Sequence, residues 1–353
     1  RGADTTVLIL NTGGTCSGSC TNSFVLWEQG CALDQMASKT LELPVVDMQS
    51  PDAAKLLAEA SHKLGFFYLE NHGVSEELVR RVFEQSRAFF TLPQEKKMMV
   101  LADKKNRGFT PMAEEVLDPE NQRQGDTKEG YYIFQDAEMR GGEGDKDDND
   151  GPLEGPNQWP PEDMVPGWKA TMSEYFPAMM ELGLGVSRFL GEGLGLGGEA
   201  FGGFFSRSMS AIRLLHYSAQ VSNPEEGVLG AGAHSDYGML TMLATASDDV
   251  PGLQVLLEGV WYDVPPRPGA FICNLGDMLQ RWTNDHLRST VHRVVNKSGR
   301  ERYSVPFFFE PDFDCRVECM PAFCSAANPA RYPPTTSGQH LMDKYAQTHT
   351  AWE

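Results

Sequence analysis

Apolar residues along this chain follow two spacings, and the switch between them divides it. From Leu41 to about residue 200 they recur mostly at helical intervals, broken by short extended runs. Residues 41–47 hold a first short strand. Ser50-Pro51 then offers an N-cap and a first-turn proline for a helix over 53–64, which Gly65 closes. Residues 66–69 are apolar enough for a buried strand, and Ser75 caps a second helix whose Leu78, Val82, Phe83, Phe89 and Phe90 share a face. Residues 125–134 read as extended. Beyond Pro160-Pro161 and Gly167, the positions Trp168, Met172, Phe176, Met179, Leu182, Val186 and Phe189 predict a long helix with one apolar face.

From about Phe204 to Phe309 the pattern changes. Short β-rich runs at 211–217, 239–244, 253–257, 269–273, 289–295 and 303–309 alternate with Gly, Pro, Asn and Asp. This spacing indicates a β-sandwich or barrel, and a further helix is expected near 338–347. The fold class is therefore mainly β with flanking helices.

Two stretches follow neither spacing. Residues 1–35 mix Gly, Ser, Thr and Cys without period, and Met36 stands directly before the first strand. The expectation is that Met36 is the natural start and that 1–36 is a mis-called extension or a disordered tail. A transit peptide is the weaker alternative, since the stretch holds one Arg and is not amphipathic. Residues 136–163 carry ten acidic residues against two basic ones, with Gly and Pro throughout, and are expected to form a mobile surface loop. The chain divides accordingly into 1–36, an N-terminal α/β region at 37–135, an acidic loop at 136–165, and a β-rich domain at 166–353 with its bracing and C-terminal helices.

The formal net charge of −19 argues against a nucleic-acid surface, which needs clustered Lys and Arg. No apolar run approaches the length of a membrane span. A reducing, cytoplasmic compartment is the expectation. Cys315, Cys319 and Cys324, like Cys16, Cys20 and Cys31, lack paired zinc spacing and read as free thiols.

The chemistry concentrates at His234-Ser235-Asp236. If residues 231–243 form one strand, His234 and Asp236 point into the same cavity. His292, in the β-branched run 289–295, can supply a third ligand. Two imidazoles and one carboxylate leave the opposite face of a metal open, the arrangement of non-haem Fe(II) oxygenases. If 289–295 and 303–309 form a hairpin, Arg302 and Ser304 follow on one face as a carboxylate receptor.

His-x-Asp, a histidine 56 positions on and Arg-x-Ser ten further resemble the 2-oxoglutarate and Fe(II)-dependent dioxygenases, within them the isopenicillin N synthase-like group. Residues 41–47, the 65–74 stretch Gly-Phe-Phe-Tyr-Leu-Glu-Asn-His-Gly-Val, Pro251-Gly252-Leu253-Gln254-Val255, Asn274-Leu275-Gly276-Asp277 and 302–308 are similar in the same order. The resemblance covers roughly 41–352. It narrows the fold to a double-stranded β-helix, or jelly roll, and implies Fe(II) on His234, Asp236 and His292. It implies 2-oxoglutarate as cosubstrate, held by Arg302, Ser304 and Tyr217, O2 as oxidant, and allows ascorbate as an accessory reductant.

Leu215 departs from the Asn-x-Tyr that plant members commonly show before Tyr217. Phe308 and Tyr131 are candidate contacts for the second substrate, a small molecule; each is equally compatible with plain core or edge strand. The implied reaction hydroxylates or desaturates that substrate and releases succinate and CO2. Two alternatives stay open at this point: an iron oxidase that dispenses with 2-oxoglutarate, and a non-catalytic jelly-roll binding protein. Oligomeric state is not legible.

Overall fold

The structure is a computed structural model that describes residues 39–140, 151–246 and 250–348. The expectations for 1–36 and for Cys16, Cys20 and Cys31 lie outside these residues. In chain order the elements are β1 (Lys39–Thr40), β2 (Val45–Asp47), α1 (Ala53–Lys63), β3 (Phe66–Glu70), α2 (Glu76–Phe90), α3 (Gln94–Lys97), β4 (Gly108–Thr110) and β5 (Lys128–Phe134). Then come α4 (Trp168–Gly193), β6 (Ala211–Tyr217), β7 (Ala231–His234), β8 (Leu240–Thr245), β9 (Leu253–Leu257), β10 (Val260–Asp263), β11 (Phe271–Leu275) and α5 (Asp277–Trp282). β12 (His292–Val294), β13 (Arg302–Phe309), β14 (Arg316–Val317), β15 (Thr335–Thr336) and α6 (Ser337–Thr348) complete it.

The strands form two principal sheets. One runs β2-β3-β11-β8-β13-β6-β5-β4 and the other β1-β10-β9-β12-β7. β6 to β13 supply four strands to each, all paired antiparallel among themselves, which is the jelly roll. β5 and β6 are buried along their whole length because both faces of the larger sheet are covered. One face of β5 sends Tyr131 and Ile133 into the main core beneath the helices; the other sends Tyr132 and Phe134 toward Ala211 and Phe308.

The helical layer is α1, α2 and α4. Trp168, at the start of α4, meets Phe89 of α2 at 5.0 Å and Tyr131 at 5.2 Å between ring centroids. These rings are fully buried, so Phe89→Ala should cost about 3–5 kcal/mol. α4 approaches the sheet closely at Gly183, where an added Cβ would stand 2.4 Å from the Phe309 ring. Only a glycine permits that contact.

Several expectations are corrected. The first helix is capped two residues later than Ser50-Pro51 suggests: its N-cap is Asp52, and Ser50 Oγ accepts the Asp52 N–H. Residues 231–243 are not one strand. β7 ends at His234 and β8 starts at Leu240, because the chain leaves the smaller sheet and enters the larger one between them.

Nor do β12 and β13 form a hairpin. β12 lies between β9 and β7, and β13 between β8 and β6, so the intervening turn also crosses between sheets. Asn296 shapes that turn: its Oδ1 accepts from Ser298 N–H and Gly299 N–H, and its Nδ2 donates to Ser218 O and Arg300 O. Within β13, Pro306 lacks an N–H, and the pairing with β6 skips from Ser304–Leu215 to Phe307–Ile212.

The acidic stretch is anchored where it is described. Leu153 and Val165 are buried in the main core, and Asn157 Nδ2 donates to Phe134 O and Asp136 Oδ2, both at 2.8 Å. The composition of 136–163 averages over Leu153 and Asn157, which is why it suggested a loop free of the core.

Candidate active site

His234, the last residue of β7, is paired in register with His292, the first of β12. Their rings therefore lie side by side, 4.4 Å between centroids. Asp236 follows two residues later in the turn toward β8. Its Oδ1 stands 3.7 Å from His234 Nε2 and 3.6 Å from His292 Nε2. The three side chains offer ligand atoms within 4.8 Å of one another, a donor set that could hold a metal ion.

The surrounding bonds orient each donor. His234 Nδ1 meets Gly232 O at 2.8 Å and His292 Nδ1 meets Thr290 O at 3.1 Å. A carbonyl partner places the ring proton on Nδ1 and leaves the Nε2 lone pair for a ligand. Asp236 Oδ2 accepts from Thr241 Oγ1 at 2.5 Å and from Asn274 Nδ2 at 2.6 Å. Its backbone carbonyl accepts the Asp277 N–H at 2.8 Å, which ties the turn to the start of α5. Phe66 packs edge-on against His292 at 5.4 Å.

Burial and the neighbouring His292 push His234 down to about 4. Burial also pushes the Asp236 carboxyl up, but His292, His234 and the two hydrogen bonds outweigh it and hold the group below its ordinary value. His234 is thus preset as a neutral imidazole and Asp236 as a carboxylate.

Arg302, Ser304 and Tyr217 lie on the opposite sheet, lining a cavity that also reaches His234, Asp236 and His292. Ser304 Oγ is buried there without a hydrogen-bond partner, an orphaned donor facing a ligand-sized space. The Arg302 guanidinium stands 5.0 Å from the Tyr217 ring centroid. Leu215, Leu253, Val294 and Pro306 make the remaining wall apolar. Leu215 thus removes an amide from this wall and leaves the charged end unchanged.

A second cavity opens on the other side of the histidine–aspartate cluster. Tyr132, Phe134, Phe308, Glu310, Leu341 and Tyr345 line it, and Phe308 borders both cavities. Tyr131 does not: it faces the helices, fully buried, with its hydroxyl donating to Gln158 O. The alternation of β5 assigns the cavity to Tyr132 instead.

Sequence reasoning also missed a buried ionic cluster beside the cavities. Arg213 gives bonds to Glu115, Lys128 pairs with Glu115 at 2.7 Å and with Asp126, and all four side chains are buried. The available signal was charge inside two strands that are otherwise largely apolar, Lys128 and Glu129 in β5 and Arg213 in β6. His216 stands apart from the site, bonded to Glu129 and stacked on Tyr303.

Comparison with known proteins gives a consistent picture. Residues 43–162 match the model of the N-terminal region of the non-haem dioxygenase in morphine synthesis, and 209–311 match that of the 2OG-Fe(II) oxygenase superfamily. The chain is 36% identical over 324 residues to kihadalactone A synthase of Citrus sinensis, covering 87% of this chain and 93% of that one. It is 37% identical to the 2-oxoglutarate-Fe(II) type oxidoreductase hxnY of Emericella nidulans, covering 81% of each. A full-length Neurospora crassa enzyme solved with alpha-KG and thymine superposes with a TM-score of 0.74 at 29% identity, covering 86% of this chain and 97% of that one.

Proposed function

Because the chain belongs to the 2OG-Fe(II) oxygenase superfamily, we propose that His234, Asp236 and His292 hold its iron and that Arg302, Ser304 and Tyr217 hold its cosubstrate. The protein is a non-haem iron, 2-oxoglutarate-dependent dioxygenase. Iron(II) with 2-oxoglutarate supplies the oxidising chemistry: O2 is consumed, the cosubstrate leaves as succinate and CO2, and a second substrate is hydroxylated or desaturated.

The chain's own residues set the conditions for that chemistry. Gly232 O and Thr290 O fix the tautomers of His234 and His292. Thr241 and Asn274 occupy one Asp236 oxygen and leave Oδ1 toward the histidines. Arg302 presents a planar fork to the distal carboxylate of the cosubstrate, and Ser304 Oγ gains the partner it lacks. The apolar wall of Leu215, Leu253 and Val294 keeps water away from the reacting centre. The second cavity receives the other substrate, a small molecule as thymine is in the Neurospora complex.

One observation carries this reading: the three convergent donors border a cavity whose far wall holds Arg302 and the unpartnered Ser304 hydroxyl. It is tested by adding 2-oxoglutarate to the Fe(II)-loaded protein without oxygen, then admitting air. A visible charge-transfer band followed by slow succinate formation is expected. Iron without a band would point to an oxidase that dispenses with the cosubstrate, and no iron uptake would overturn the site.

A further inference from the structure

Of the four cysteines among the described residues, two converge. Cys273 is buried inside β11, and Cys315 sits beside Asp312, where burial and the aspartate charge push its thiol up to about 11. Cys319 and Cys324 flank a single turn of 3-10 helix, Pro321–Phe323, which Pro321 opens and the Phe323 N–H closes onto Met320 O at 2.9 Å. The turn brings the residues on either side of it back together. Cys319 Sγ and Cys324 Sγ both donate to that same Met320 O, at 3.5 and 3.7 Å.

This turn is tied down at both ends, to the last residue of α5 and to the loop that follows it. Met320 N–H donates to Trp282 O at 2.8 Å, and Asn284 Nδ2 donates to Phe323 O at 3.3 Å. Separating the two sulfurs would strain these bonds. Both cysteines are half-buried, so a small reagent reaches them from solvent. Burial and a hydrogen bond with Cys324 push the Cys319 thiol up to about 11, so Cys319 keeps its proton at neutral pH while that bond lasts.

We propose that Cys319 and Cys324 form a reversible dithiol–disulfide site, oxidised by a low-molecular-weight disulfide of the glutathione type. Cys324 gives its proton to water, and its thiolate attacks one sulfur of the reagent; the reagent's S–S bond breaks and one glutathione leaves as a thiolate. The mixed disulfide on Cys324 removes the thiol that was bonded to Cys319. Cys319 then gives up its proton, attacks the Cys324 sulfur and displaces the second glutathione. The two released protons return to the two leaving thiolates. Two cysteine thiols have lost two electrons, and one reagent disulfide has become two thiols. Excess reduced glutathione drives the same steps backward.

The test equilibrates full-chain protein, reduced and kept without oxygen, with oxidised and reduced glutathione over a range of ratios, both natively and in urea. Remaining thiols are trapped by alkylation, and trypsin releases residues 317–331, which hold both cysteines. Mass spectrometry should find this peptide without alkyl groups and short of two hydrogens. The native link should need at least about tenfold less oxidised glutathione than the link in urea, the gain from holding the thiols together. Cys319→Ser should halt the reaction at a glutathione adduct on Cys324.

Glutathione adducts without the internal link in the parent protein, a link that forms no more readily natively than in urea, or a Cys319→Ser protein without the adduct overturns the proposal. Neither Fe(II) nor 2-oxoglutarate takes part in the experiment, so its failure leaves the proposed function untouched.

Discussion

Arg302 and Tyr217 are direct partners across the β13–β6 ladder, with the guanidinium 5.0 Å from the ring centroid and Arg302 Nε donating to Val250 O at 3.2 Å. Stacking and the Nε bond together set the plane of the guanidinium before any ligand arrives. Arg302→Lys keeps the charge and loses the fork. The apparent affinity for 2-oxoglutarate should then fall about ten- to a hundredfold while iron content is unchanged. Titration of the visible band checks this, and an unaltered affinity would move the cosubstrate role to another residue.

Metal retention should separate ligands from the groups that orient them. Asp236→Ala should abolish iron uptake and turnover. Asn274→Leu removes the 2.6 Å bond to Asp236 Oδ2 without touching a proposed ligand, and should weaken iron binding about 10- to 100-fold. Metal content after dialysis against graded chelator reads both. Full iron retention by Asp236→Ala would sink the assignment.

The ionic cluster makes a prediction about stability. In Glu115→Ala, Arg213 and Lys128 lose their shared carboxylate in a buried setting. The cost should be about 3–5 kcal/mol, since a buried ion pair is most expensive when half of it is removed. The urea midpoint should drop with little change in the slope of the transition.

Acid sensitivity should be traceable to α6. Burial pushes His340 down from 6.5 to about 4, against the favourable charge of Asp277. Between those values the unfolded chain binds a proton that the folded chain refuses, so stability falls as pH drops from 6.5 toward 4. The loss from this residue is up to about 3 kcal/mol, and it is absent above pH 6.5. His340→Gln should show a shallower dependence of the urea midpoint on pH between 7 and 4.5; an identical profile would assign the sensitivity elsewhere.

Periodicity located the elements well because their apolar faces are long. β6 and β9 match the ranges read from the sequence, and α4 starts at Trp168 as its proline and glycine boundary suggested. It failed where the chain passes between sheets. An apolar run does not reveal which partner each end pairs with, so 231–243 looked continuous and 289–309 looked like a hairpin.

The donors were nonetheless legible, because a histidine two residues from an aspartate stays near it whether the link is a strand or a turn. Tyr131 and Tyr132 show the limit. Both are aromatic residues in one buried strand, and only the placement of α2 and α4 decides which of them faces the cavity. The bonds from Thr241 and Asn274 to Asp236 were illegible for a related reason: Asn274 stood out within a motif, but a side-chain hydrogen bond between different strands and a turn leaves no period in a sequence.

The crossings between sheets have a mechanical consequence. His234 and His292 are anchored in the smaller sheet, Arg302, Ser304 and Tyr217 in the larger, and the turns 235–239 and 295–301 are the links that join them around the site. In the proposed site, a dicarboxylate held at one end by a metal on His234 and His292 and at the other by Arg302 would be a strut between the two layers. The molecule that such a reaction consumes would then also tie the two layers together around the site for as long as it is bound.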